Sequence, residues 1–457
     1  MRDIIKKLVE SWNHKDGIFS INQILDWVSE KNQSLKVKIK KQSLDDCASW
    51  YYNEDSGQIE NHNGGFFTIS GIQQYENGEF VKEQPIIIQN EIGYLGIICK
   101  EIDGIIHFLM QAKIEPGNVN KIQLSPTIQA TKSNFTQKHG GKKPMYLDYF
   151  VNATQEQIIV DQIQSEQSSR FLKKRNRNII IYTNDDIELF PSHKWMTLGQ
   201  IKELMKIDNL VNMDTRTVLS CIPFSLYLHE YDEMKDLFSD QYLCHSIFNS
   251  HPLNDIPHIF HEINQFKMFH NIERCLVPLY TLKNWSMQNN EFVCNTFYPF
   301  KVVFCDIAIE GREVKHWTQP LFEATEMATF GLFMANVDGR KKFLVHITPE
   351  IGCFDNIEIG PTVQLDTSTQ IQDEIVKLFL NKLSSQDNIR YQVILSEEGG
   401  RFYQEQNKNI IIELSSNELP ILPKGYFWVD YKTLNFLQQV HNVLNIQLRN
   451  LLSLLEV

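Results

Sequence analysis

The chain repeats itself, and no other feature limits its architecture as much. Trp50, Gln84, Pro85, Gly96, Asp103, Gly104, Phe108, Glu115, Pro126, Thr127 and Gln129 recur as Trp285, Gln319, Pro320, Gly331, Asp338, Gly339, Phe343, Glu350, Pro361, Thr362 and Gln364, always 235 positions later. Ser165-Glu166, Arg170-Phe171, Asn176 and Asn178 match Ser396-Glu397, Arg401-Phe402, Asn407 and Asn409 at an offset of 231. Trp195, Arg216, Leu219 and Ser220 match Trp428, Arg449, Leu452 and Ser453 at 233. Small changes of offset are what insertions in loops produce. A period this long means a duplicated domain, not a solenoid of short repeats. Residues 1–230 and 231–457 therefore read as two copies of one unit. No low-complexity linker separates them, so the copies are expected to pack together.

Each copy has the same order of elements. A helical lead-in comes first (SINQILDWVSEKN; IPHIFHEINQFKMF), followed by alternating apolar runs that read as strands. Asp103-Gly104 and Asp338-Gly339 sit between such runs, as hairpin turns do. Another strand follows a basic block (NIIIYT; NIIIEL). One long amphipathic helix is expected to close each copy, over Leu198–Ile207 and over Leu434–Leu444. The fold class is α+β, two tandem mixed-sheet domains.

Bulk properties narrow the function. A net charge of −12 disfavours nucleic acid or an anionic membrane as partner, so an anionic ligand needs a local basic pocket. Eight scattered cysteines without a C-x-x-C pair argue against a zinc ribbon and a disulfide scaffold, and suit a cytoplasmic chain. No stretch approaches the ~20 apolar residues of a membrane helix. Hydrolase and nicotinamide-binding motifs are absent, as is a glutamate-rich, magnesium-holding helix, so no metal or cofactor is expected.

Between Lys113 and Cys221 the chain concentrates side chains suited to phosphates, hydroxyls and carbonyl oxygens. Block Arg170–Asn178 carries Arg170, Lys173, Lys174, Arg175 and Arg177, whereas its counterpart keeps Arg401 and Lys408 and gains Glu405. Guanidinium forks and ammonium groups are what a diphosphate requires, although solvated strand-end charges or an arginine bridged to Glu166 fit the same pattern. Segment Thr131–Lys142 places Ser133, Asn134, Phe135, Thr136, Gln137, His139 and Lys142 together, while the same register in copy two gives Ser368, Thr369, Gln370 and Glu374. Asn134 suits a sugar hydroxyl or a base edge. Trp50 and Trp285 suit either a core or stacking on a base.

The blocks QAKIEPGN, QLSPTIQATKSNF, SEQSSRFLKKRNRN, VNMDTRTVLSC and REVKHWTQPL, in this order, resemble the NDP-hexose 2,3-dehydratases. The resemblance implies a duplicated Nudix-like fold, a homodimer, and a nucleotide-sugar pocket in each half with only one catalytic. It also implies a substrate: a dTDP-linked, or other NDP-linked, 4-keto-6-deoxyhexose. The lyase would remove its 2-hydroxyl and pass an unstable 3,4-diketo product to a downstream 3-ketoreductase. In such a reaction the C4 ketone acidifies the C3 hydrogen, a base removes it, and an acid assists departure of the C2 hydroxyl. His139 and Glu115 are the candidate acid and base. Substrate contacts are assigned to Trp50, Ser133, Asn134, Phe135, Thr136, Gln137, Lys142, Arg170, Lys174, Arg175 and Arg177, and a second pocket to Trp285, Ser396 and Arg401. Copy one carries Lys82 where copy two carries Trp317. The alternatives are a metal-dependent nucleotide-sugar pyrophosphohydrolase and a non-catalytic nucleotide-sugar-binding protein.

Overall fold

A computed structural model of the chain describes residues 2–136, 143–226, 231–250, 255–310, 314–366, 369 and 373–456. Each half builds one large mixed sheet. In the first half the strand order is Ile158–Ser165, Arg175–Tyr182, Gly93–Ile102, Ile105–Ile114, His193–Thr197. Arg175–Tyr182 runs parallel to Gly93–Ile102, and the other neighbours are antiparallel. The second half repeats this with Ile389–Ser396, Gln406–Leu414, Ala328–Val337 and Arg340–Pro349, again with one parallel pair. The Asp-Gly pairs turn as the sequence requires. Asp103, Gly104, Asp338 and Gly339 all have positive φ, the conformation of a tight two-residue hairpin. The α+β class with two tandem mixed-sheet halves is as expected.

Gly96 and Gly331 are fixed by close approach. A Cβ at Gly96 would lie 2.5 Å from the Phe150 ring, and one at Gly331 2.1 Å from the Phe379 ring. In each half an aromatic residue of a covering helix presses directly on the sheet backbone there.

Two features depart from the sequence reading. First, neither half ends in one long helix. Leu198–Leu204 stops, and a second helix begins at Met213–Ser220. Likewise Tyr431–Gln438 is followed by Ile446–Ser453. Asn209 and Asn442 break the path with left-handed backbone, and Asn212 and Asn445 cap the new helices by accepting from Thr215 N and Leu448 N. Apolar spacing continued through the break, so periodicity alone did not reveal it.

Second, the halves exchange strands. Each has a small sheet besides its large one. Ile272–Val277 of the second half pairs with Thr68–Glu76 of the first, in register Val277↔Gly71. Val37–Gln42 of the first half pairs with Phe300–Ile309 of the second, in register Val37↔Ile309. The expectation that the copies pack together holds in this strong form. No helix among the described residues is long and apolar enough to cross a membrane.

Candidate active site

The turns Gln167–Arg170 and Glu398–Arg401 are the key to the site, because each leaves its own half. Gln84 Nε2 donates to Ser169 O and Gln319 Nε2 to Gly400 O, both at 2.8 Å, so each turn is tied to the small sheet of its own repeat. Each turn then docks on the large sheet of the other repeat. Gly117 N donates to Gly399 O and Gly352 N to Ser168 O, both at 2.7 Å. A Cβ on Gly117 would fall 1.6 Å from Phe402 O, and one on Gly352 1.8 Å from Phe171 O. These glycines are required by contact between the halves.

Two related clusters of mostly buried polar side chains result, each a candidate pocket. In the first, Glu115 takes Lys113 Nζ at 2.8 Å and Gln129 Nε2 at 3.0 Å, and Asn212 Nδ2 donates to Gln129 Oε1 at 3.3 Å. In the second, Gln364 Nε2 donates to Glu350 Oε1 at 3.2 Å and Asn445 Nδ2 to Gln364 Oε1 at 2.7 Å. Glu398 and Arg401 come to the first pocket from the second half, and Arg170 comes to the second pocket from the first. The cations follow the same crossing. Arg401 lies 4.3 Å over the Phe67 ring and Arg170 4.0 Å over the Phe300 ring. Each leaves its buried Nε–H without a partner.

The electrostatics are dominated by buried carboxyls. Burial, reinforced by the charge of Glu115 and opposed by Arg401, pushes Glu398 up to about 7. Burial and the negative charges of Glu166, Glu398 and Glu115 hold Asp214 well above the carboxylate range, with Lys113 opposing. In the second pocket burial raises Glu350, opposed by the Gln364 hydrogen bond and by Lys82 and Arg170. Burial likewise lowers Lys82, with Glu350 opposing. Burial pushes both Glu166 and Lys174 toward their neutral forms, each opposing the other's shift.

Behind the pockets the halves are bolted together. Arg216 Nη2 donates to Ser396 O at 2.8 Å, and Arg449 reciprocally donates to Ser165 O. Ser165 Oγ donates to Glu358 at 2.9 Å, and Gln123 Nε2 donates to Ser396 Oγ at 2.8 Å. Ser396, assigned from the sequence to a second pocket, is instead a buried bolt.

The other assignments scatter. Trp50 is 3% exposed and Trp285 4%. Their indole N–H groups donate to Thr318 O at 2.7 Å and Glu83 O at 3.4 Å, each across the halves. Both faces are spent on core aromatics rather than open for a base. Arg177 is forked onto Asp161 at 2.7 and 2.6 Å, and Arg175 stacks 4.4 Å over Phe354. Lys174 Nζ donates to Glu91 O at 2.5 Å. The basic block therefore does not converge on one ligand face. Asn134 and Thr136 are exposed at a short helix, Lys132–Phe135, which also carries Ser133, and Phe135 meets Tyr94 edge-on at 5.2 Å. Gln137, His139 and Lys142 lie outside the described residues. Of the sequence-assigned residues, Glu115 and Arg401 both act on Glu398 in the first pocket and Arg170 acts on Glu350 in the second, so Arg401 and Arg170 stand in the opposite pockets from those the sequence assigned, because each turn crosses to the other half.

Sequence reasoning missed Lys113, Asp214 and Glu398. The signal was present in the repeat itself. The same offsets that match the copies set Lys113 against Thr348, Asp214 against Gln447, and Glu398 against Gln167.

Comparison with known proteins agrees with the duplication. The family model for NDP-hexose 2,3-dehydratase matches twice, over residues 21–222 and 258–455. A dTDP-4-dehydro-6-deoxy-alpha-D-glucopyranose 2,3-dehydratase of Saccharopolyspora spinosa is 36% identical over 448 residues, 96% of this chain and 92% of its own length. A protein of the same name from Amycolatopsis orientalis is 34% identical over 96% of this chain and 91% of its own. A solved ADP compounds hydrolase aligns with 38% of this chain and 92% of its own at 11% identity and a TM-score of 0.23, a likeness too slight to bear on fold or chemistry. With both repeats matched and nearly the full length shared, the chain belongs to the NDP-hexose 2,3-dehydratase family.

Proposed function

We propose that this chain dehydrates a dTDP-linked 4-keto-6-deoxyglucose at carbons 2 and 3, giving a 3,4-diketo-2,6-dideoxyhexose nucleotide. One observation carries the reading: relatives so named match 92% and 91% of their own lengths to this chain. The chemistry of the first pocket supports it. An elimination next to a ketone needs a base, an acid and donors for an enolate oxygen. That pocket gathers carboxyls of raised proton affinity beside Lys113 and Arg401. Glu115, already receiving Lys113 and Gln129, is suited to fix a sugar hydroxyl. Arg401, with an unused N–H, is suited to a phosphate.

The product is an unstable diketone, so a 3-ketoreductase acting next in sequence is part of the proposal. So is a homodimer. Eight unpaired cysteines fit a cytoplasmic setting.

The test is one incubation of the full chain with the 4-keto nucleotide sugar in EDTA, followed by mass spectrometry. Loss of one water, or free nucleoside diphosphate with a maltol-like fragment, is the expected result. Release of a nucleoside monophosphate when magnesium replaces EDTA, or binding with the sugar unchanged under both conditions, overturns it.

A further inference from the structure

The two pockets form an internal comparison, because one sequence builds the same frame twice. Shared residues, Glu115/Glu350, Gln129/Gln364 and Asn212/Asn445, serve the frame. What differs is charge. The first pocket has Lys113, Asp214 and Glu398 where the second has Thr348, Gln447 and Gln167, and the second has Lys82 and Glu358 where the first has Trp317 and Gln123. Asp214 is the most telling. It sits in the first turn of helix Met213–Ser220, is 2% exposed, and neither carboxyl oxygen has a hydrogen-bond partner. Leaving such a group buried and unpartnered costs stability. Asn118 Oδ1, three residues beyond Glu115, is also unpartnered, and a Cβ on Gly399 would fall 2.2 Å from it. Buried acceptors without donors suit a ligand that brings hydroxyl groups; the second pocket has them too, at Gln447, Gln167 and Glu350, and the charge of Asp214 sets the first apart.

We propose that Asp214 and Glu398 are the catalytic acid and base of the dehydration, one from each repeat. The proposal rests on the dehydratase reading. Glu398, with its Oε1 receiving Gly400 N at 3.1 Å and Arg401 beside it, has support for its ionised form. Asp214 accepts no hydrogen bond and has three negative neighbours against the single opposing charge of Lys113, so it holds a proton. Glu398 takes the C3 proton, and the C3–H electrons move into the C3–C4 bond and onto the C4 oxygen. The C2–O bond then breaks and Asp214 gives its proton to the departing hydroxide, which leaves as water. The resulting 2,3-enol tautomerises as Glu398 returns its proton to C2 and Asp214 accepts the one on the C3 oxygen. Both carboxyls end as they began, and no oxidant, reductant or metal enters the balance.

Glutamine already occupies the equivalent places in the second pocket, so neutral side chains are compatible with the frame. Glu398→Gln, Asp214→Asn and the unmodified chain are incubated with substrate in deuterium oxide, scoring water loss and deuterium uptake at C3. Glu398→Gln is expected to lose both by roughly 10²–10⁴-fold. Asp214→Asn is expected to lose water elimination by a similar factor while still exchanging C3 above the enzyme-free rate, and to melt higher than the unmodified chain. Binding of dTDP stays within about threefold in both. Should Glu398→Gln fail to fold, Glu398→Asp replaces it, with exchange and elimination falling in parallel. Either variant dehydrating within about threefold of the unmodified chain, or loss of C3 exchange in Asp214→Asn, overturns the assignment. An unmodified chain that loses no water overturns the dehydratase reading instead, and the two failures are told apart in one experiment.

Discussion

Single residues in this protein are best understood against their duplicates. Glu358 is a buried carboxyl pushed up to about 8 by burial and by Glu350, and Glu397 is pushed to about 8 by burial and Glu405. A carboxyl with its folded pKa raised holds its proton more tightly folded than unfolded. Its stabilising contribution is therefore complete below the unfolded value near 4.3 and is lost as pH rises to about 8. The melting temperature is expected to fall between pH 5 and pH 8. Glu358→Gln, which copies Gln123 of the first half, should flatten that slope in calorimetry. His139 is tested by the same logic of proton transfer. With carboxyls supplying acid and base, His139→Ala should cost less than about tenfold in turnover, whereas a loss of 10²–10⁴ would return the chemistry to the histidine. Trp50 shows why residue-level reading failed elsewhere. An indole before a polar turn fits a stacking platform or a core equally well, and only the Thr318 carbonyl beneath its N–H separates the two.

Among elements, those with local causes were legible. An Asp-Gly pair between alternating runs can hardly do anything but turn, and both pairs do. Gly339 and Gly331 separate two kinds of glycine requirement. Gly339 has φ +74° and open space around a Cβ, so Gly339→Ala pays only the left-handed penalty of about 1 kcal/mol. Gly331→Ala drives a methyl to 2.1 Å from the Phe379 ring and should cost clearly more, about 2–3 kcal/mol by urea unfolding. The helices broken at Asn209 and Asn442 were illegible because apolar spacing persists through the break and only the asparagine cap marks it. The exchanged strands were illegible for a deeper reason. Period-two alternation says that a strand exists and which face is buried, but not which sheet it joins. VKIKKQ and IERCLV are both partly exposed edge strands, and their short alternation does not say which sheet they join.

For the whole molecule the halves depend on one another. Each small sheet borrows a strand, each large sheet receives a foreign turn, and Arg216 and Arg449 bind each half to a buried serine carbonyl of the other. Residues 1–230 and 231–457 made as separate chains should each fail to fold alone, seen as loss of cooperative melting. Mixed during refolding, they should regain a compact one-to-one complex. Independent cooperative melting of either half would contradict the exchange described above. The duplication, and so the presence of two pockets, was plain in the sequence. Their cross-built character was not, since matching residues at a fixed offset reveal sameness and carry no information about which copy touches which.

A doubled gene ordinarily leaves its spare free to decay. Here the turn at Glu398–Arg401 denies that freedom, because the spare copy furnishes part of its sibling's candidate pocket. Even if the second pocket never meets a sugar, its repeat stays indispensable, and damage to one copy will surface as a defect in the other.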